Sequence, residues 1–146
     1  MLEITVANLQ SALSVDEYRL IDAVRTVLDS AQIFEGEVSI TIVDNDRMHE
    51  LNRRHLNHDY PTDVLSFLLD HEGDLLEGEI IASAEYADSE AATYGWPAED
   101  ELLLYVVHGA LHLVGHDDTS PTTATAMRTA EREILATFGL VPPGRD

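Results

Sequence analysis

Two histidines one helical turn apart, His108 and His112, lie in the run His108-Gly109-Ala110-Leu111-His112-Leu113-Val114-Gly115-His116-Asp117-Asp118, directly after the apolar stretch Leu102 to Val107. Residues four apart on a helix carry β-carbons about 5–6 Å from each other, so both imidazoles can reach one ion. His116 does not extend the pair. At about 1.5 Å per residue it would lie about 12 Å along the axis from His108. Gly115 can adopt the positive φ that ends a helix and reverses the chain, which brings Asp118 back toward the rings. The expected metal ligands are therefore His108, His112 and Asp118. Three protein ligands with an open fourth position describe a catalytic zinc site, where the pKa of a bound water falls to about 7. The absence of cysteine excludes the thiolate sets common in structural zinc sites. The same spacing also suits two buried histidines satisfied by backbone or side-chain partners. His116 reads as an exposed loop residue that would substitute as ligand only if the turn differed.

The elements that must position these side chains follow from apolar periodicity. With 146 residues and 45% hydrophobic content, the chain is expected to form one domain spanning 1–146. Residues 2–6 alternate as a strand, and 16–28 place Leu20, Ile21, Val24, Val27 and Leu28 on one helical face. Residues 37–43 alternate again, with Val38, Ile40 and Ile42 on one side. Asp44 caps a short helix carrying Met48 and Leu51. Residues 55–61 read as an irregular loop, 63–68 and 78–83 as two strands forming an antiparallel edge, and 70–76 as a polar excursion between them. Helices are expected over 84–94, ended by Gly95-Trp96-Pro97, over 98–114 for the metal helix, and from Ser120-Pro121 to Gly139. In that last helix Met127, Ala130, Ile134 and Phe138 share a face. The pattern reads as strands and helices in alternation, with an antiparallel edge on an otherwise parallel sheet.

Charge points away from polyanions at long range. Twenty-eight acidic residues against eight basic ones, all arginine, give a formal net charge of −20. The positives are unevenly spread: Arg47, Arg53 and Arg54 fall with His49, His55 and His58 in one segment that can meet phosphates or pair with neighbouring acids. No apolar run approaches the roughly 20 residues of a membrane span, and no basic-then-apolar N-terminal segment is evident. A cytoplasmic protein with no membrane partner is the expectation.

These segments together resemble the YbeY family of bacterial metal-dependent endoribonucleases, the rRNA maturation factors. Leu51-Asn52 through Pro61-Thr62-Asp63-Val64-Leu65-Ser66-Phe67 is similar to the family's LN…TDVLSF signature, Gly78-Glu79-Ile80-Ile81 to its GDI segment, and His108 through Asp118 to HGxLHLxGxDH. The resemblance covers nearly the whole chain. It implies a single α+β domain with a mixed, mostly parallel β-sheet packed with helices and a zincin-like metal helix, one zinc held by that HGxLH helix, single-strand-specific RNA cleavage in 16S rRNA 3′-end maturation and ribosome quality control, and partners among the small ribosomal subunit and an Era-type GTPase. Two positions depart from the pattern. Asp118 stands where the family usually has histidine, and a carboxylate oxygen is a competent zinc ligand at about 2.0–2.2 Å. Leu56 stands where the family has a phosphate-contacting arginine, leaving Arg53 or Arg54 as stand-ins.

Gly109 fills the place of the glutamate base in an H-E-x-x-H protease, so peptide hydrolysis by that route is not expected. For RNA, the metal would polarise a phosphoryl oxygen, Asp117 would orient water, and Arg53 or Arg54 would offset phosphorane charge. Thr62, Asp63 and Ser66 either line the cleft floor or serve as turn hydroxyl, cap and helix-facing residue. Two other readings stand beside this one: a ribosome-associated, non-catalytic zinc-binding factor, and a hydrolase of a small substrate.

Overall fold

The computed structural model describes residues 1–56 and 62–144. Its elements run β1 (Leu2–Asn8), α1 (Glu17–Ser30), β2 (Glu35–Val43), α2 (Asn45–Leu56), β3 (Val64–Glu72), β4 (Leu75–Ser83), α3 (Ala84–Tyr94), α4 (Ala98–Leu113) and α5 (Pro121–Ala136). The four strands form one sheet in the order β1-β2-β4-β3. β1 and β4 flank β2 in parallel, and β3 pairs antiparallel to β4 at the edge, as the alternation predicted.

Period-2 alternation decides the layering. Leu2 and Ile4 of β1, Val38, Ile40 and Ile42 of β2, and Leu76, Ile80 and Ala82 of β4 are buried against the helices. The other face carries a smaller apolar cluster, Val43, Met48 and Leu65, which α2 covers through Met48 and Leu51. α4 is the central helix. Twelve of its sixteen residues are buried, which explains a hydrophobic content spread around its circumference. Its N-terminus is fixed from two sides: Asp100 pairs with Arg19 of α1, and the Trp96 indole N–H donates to buried Glu101 at 2.8 Å.

Three boundaries differ most from the sequence reading, each for a physical reason. α2 extends to Leu56, because Arg53 to Leu56 contains no helix breaker, so His55 and Leu56 belong to the helix and not to the irregular stretch. The remainder of that stretch, 57–61, lies outside the described residues, as does the Leu56 side chain. The polar excursion 70–76 is mostly strand, turning only at Gly73-Asp74. Beyond Leu68 the β3 arm is exposed on both faces although Leu76 opposite it is buried, so the polar residues of that arm obey pairing alone, with a register shift between Leu68 and Asp70. α5 stops at Ala136, and 137–139 form a turn ending at Gly139.

Candidate metal centre

α4 can present its histidines at the sheet because position 109 has no side chain. A Cβ there would sit 2.9 Å from both Ser66 Oγ and Ile80 Cγ2, and 3.2 Å from Val64 Cγ2. The glycine therefore sets the depth at which α4 lies on β3 and β4. Ser66 Oγ fills the contact by donating to the Gly109 carbonyl at 3.0 Å. The space that an H-E-x-x-H glutamate would need is occupied by the sheet.

After Leu113 the helix closes in a Schellman motif: Gly115 N–H donates to the His112 carbonyl at 3.1 Å and His116 N–H to the Leu111 carbonyl at 3.0 Å, with Gly115 at φ 104°. The reversed chain brings Asp118 Oδ2 to 4.0 Å from His108 Nε2. The Nε2 atoms of His108 and His112 lie 3.1 Å apart, with the rings edge to face at 4.6 Å between centroids. Ligand atoms of His108, His112 and Asp118 all fall within 4.8 Å of one another. Two nitrogens on one tetrahedral zinc at about 2.0–2.1 Å would be about 3.3 Å apart, so the imidazole pair fits such an ion closely.

The protonation pattern supports the same fit. His108 Nδ1 lies 3.0 Å from Glu131 Oε2 on α5, so Nδ1–H donates to the carboxylate and Nε2 turns its lone pair to the cleft. Glu131 is only 12% exposed. His112 Nε2 then faces that lone pair, which it satisfies by carrying a proton or by sharing a cation. Burial works against charge on His108, but the hydrogen bond and charge of Glu131, with the charges of Asp63 and Asp118, raise its pKa above the ordinary value. For His112, burial and the neighbouring His108 lower it.

A cleft of about 280 Å³ opens beside the pair, lined by Asp63 to Phe67, His108 and His112. Asp63 and Ser66 thus face it, and each is also committed locally: Asp63 Oδ1 accepts from Val64 N–H at 2.7 Å and from Thr62 Oγ1 at 3.3 Å. Asp117 Oδ1 accepts from Thr119 N–H at 3.1 Å and Thr119 Oγ1 at 2.9 Å, holding the turn that carries Asp118. Hydrogen bonds from Thr123 and Thr119 hold the Asp117 carboxyl below its ordinary pKa. Arg53 and Arg54 are exposed on α2, Arg54 lies 3.5 Å from Glu50, and neither lines this cleft. His116 is half-buried, lining a separate groove with Leu111 and Ala130, and not exposed as the sequence suggested. The Schellman turn folds it back over the helix end.

Sequence reasoning missed Glu131. The signal was present: Glu131 lies four residues after Met127 and three before Ile134, on the stripe that α5 buries. An acid on that stripe needs a partner inside, and His108 is that partner.

The family model described as Endoribonuclease YbeY matches residues 5–139. Among curated relatives, an endoribonuclease YbeY of Rhodopirellula baltica is 39% identical, aligned over 98% of this chain and 84% of that one. The counterpart of Carboxydothermus hydrogenoformans is 40% identical over 96% and 99%, and that of Desulfitobacterium hafniense 43% over 77% and 78%. A solution structure from Thermotoga maritima matches the whole fold with a TM-score of 0.59 at 24% identity.

Proposed function

Because the chain belongs to the YbeY endoribonuclease family, we propose that it is a zinc-dependent, single-strand-specific endoribonuclease acting in 16S rRNA 3′-end maturation and ribosome quality control. In this reading the substrate is a precursor of 16S rRNA, the partners are the small ribosomal subunit and an Era-type GTPase, and the work is done in the cytoplasm. No described helix is long and apolar enough to cross a membrane.

The observation that carries the proposal is the convergence of His108, His112 and Asp118 at the mouth of a cleft, with Glu131 fixing the tautomer of His108. His108 Nε2, His112 Nε2 and an Asp118 oxygen would hold the ion. When bound, zinc supplies polarisation of a phosphoryl oxygen and activation of water at neutral pH. The protein's own contribution is orientation. Glu131 holds the His108 ring in place, and the turn fixed by Asp117 and Thr119 delivers Asp118. Asp117, kept ionised by its hydrogen bonds, accepts a hydrogen bond from water and does not donate a proton. Arg53 and Arg54, exposed on α2 and outside the lining of the cleft, would offset the charge of a strand leading toward it.

The test is cleavage of a single-stranded RNA oligonucleotide by nuclease-free, zinc-loaded protein beside a His112→Ala variant. The proposal expects cleavage by the first and none by the second.

A further inference from the structure

An RNA strand at this cleft needs cations, and the described side chains lining it supply none beyond the two metal-site histidines. The chain as a whole, at −20, repels a polyanion, and charges beyond about 8 Å are screened at physiological ionic strength. Binding therefore depends on arginines placed close to the metal centre. Arg19 is committed to Asp100, and Arg54 to Glu50.

Arg128 and Arg132 are set apart from these, and from Arg25, Arg47 and Arg53, by their place beside Glu131. They stand four residues apart on one face of α5, on either side of the residue that holds His108, and both are exposed. Among the described residues no carboxylate lies within 4.0 Å of either guanidinium. Their polar contacts are long ones, Arg128 Nη2 to Thr125 Oγ1 at 3.5 Å and Arg132 Nε to the Arg128 carbonyl at 3.4 Å. The nearby acids do not cancel them: Glu131 is turned to His108, and Glu133 lines a separate groove with Leu111 and His116. Both arginines open onto a cavity of about 280 Å³ shared with Glu131, Leu104, Pro142 and Pro143. Leu104 lies one helical turn before His108 on the same face of α4, so this cavity begins where the His108–Glu131 contact ends.

We infer that Arg128 and Arg132 form a backbone-phosphate subsite for single-stranded RNA, next to the metal centre, with Leu104 and Pro142-Pro143 as the apolar wall against which a ribose or base packs. The inference rests on the endoribonuclease reading above. The two guanidiniums supply forked donors for the phosphodiester oxygens.

The experiment measures anisotropy of a labelled, uncleavable 2′-O-methyl single-stranded oligonucleotide with the zinc-loaded full chain over a range of salt concentrations. Wild type is compared with Arg128→Gln/Arg132→Gln and with Arg128→Lys/Arg132→Lys. The glutamine pair is expected to bind about tenfold more weakly, with a salt slope shallower by about 1.4 for two lost single-strand phosphate contacts, and the lysine pair to restore the slope. With cleavable RNA, KM rises in the glutamine pair while kcat stays within about twofold, since the group contacts a flanking phosphate. Unchanged affinity and slope, or no binding by wild type, would overturn the subsite, as would loss of zinc uptake in the glutamine pair, which would show that the arginines act on Glu131. The two readings fail separately: arginine-dependent binding without His112-dependent cleavage leaves the subsite and removes the nuclease, and the converse does the opposite.

Discussion

Nδ1 of His108 lies 3.0 Å from Oε2 of Glu131, although 23 residues separate them in the chain. The contact joins α5 to α4 and leaves one nitrogen of His108 aimed at His112 and Asp118. A carboxylate behind a ligating imidazole raises its basicity and fixes its orientation.

Glu131→Gln keeps the shape and an acceptor oxygen but removes the charge. Zinc affinity should fall by about 10- to 100-fold while the fold is retained. Calorimetric titration of zinc into metal-free protein measures this, and equal affinities would remove Glu131 from the site.

The same pair sets a pH dependence in the metal-free protein. Burial opposes the charged form of His108, but Glu131, Asp63 and Asp118 outweigh it, so the folded pKa lies above the ordinary 6.5. A raised folded pKa contributes stability that is fully present below about 6.5 and is lost as pH rises through the folded value. His112, lowered first by burial and then by His108, acts in the opposite sense: its contribution is present above 6.5 and is lost as pH falls through its folded value. Removing the Glu131 charge should therefore lower the thermal midpoint most below pH 6.5, with the gap between wild type and Glu131→Gln closing as pH rises. Unfolding in chelator across that range shows whether it does, and a gap that widens with pH would contradict the assignment.

Asp118 would supply an anionic ligand where the resemblance leads one to expect a neutral imidazole. An anion leaves the ion less able to acidify its bound water. Asp118→His should keep zinc and shift the alkaline-going limb of the kcat profile to lower pH, whereas Asp118→Ala should lose most of its zinc. A profile unmoved by the histidine would mean that Asp118 does not ligate.

Gly109→Ala tests how closely α4 lies on the sheet. The added methyl would meet Ser66 Oγ and Ile80 Cγ2 at 2.9 Å, and overpacking of this kind costs about 1–3 kcal/mol. Denaturant unfolding should show that loss, and the displaced helix should weaken zinc binding as well. A neutral substitution would mean the contact is slack.

Much of this was legible in the residues. Gly115 predicted the turn that returns Asp118 toward the rings, and the alternation of Val38, Ile40 and Ile42 predicted the face that packs on the helices. The antiparallel edge of β3 was readable from two short apolar runs close together. What could not be read was set by tertiary packing. Polar residues of 70–76 became strand because pairing to a neighbour does not require burial. Periodicity marks Glu131 as facing inward on α5, but which group it meets was set only once α5 had docked on α4 and brought it to His108. Arg53 and Arg54 stood out because they cluster in sequence, while Arg128 and Arg132 gain interest only from standing beside Glu131.

The most direct test of the central claim is zinc stoichiometry and RNA cleavage measured on the same preparations of wild type and His112→Ala. Wild type should take up one zinc per chain and cut single-stranded RNA, and the variant, folded by thermal unfolding, should do neither. Undiminished cleavage by the folded His112→Ala protein would contradict the site described.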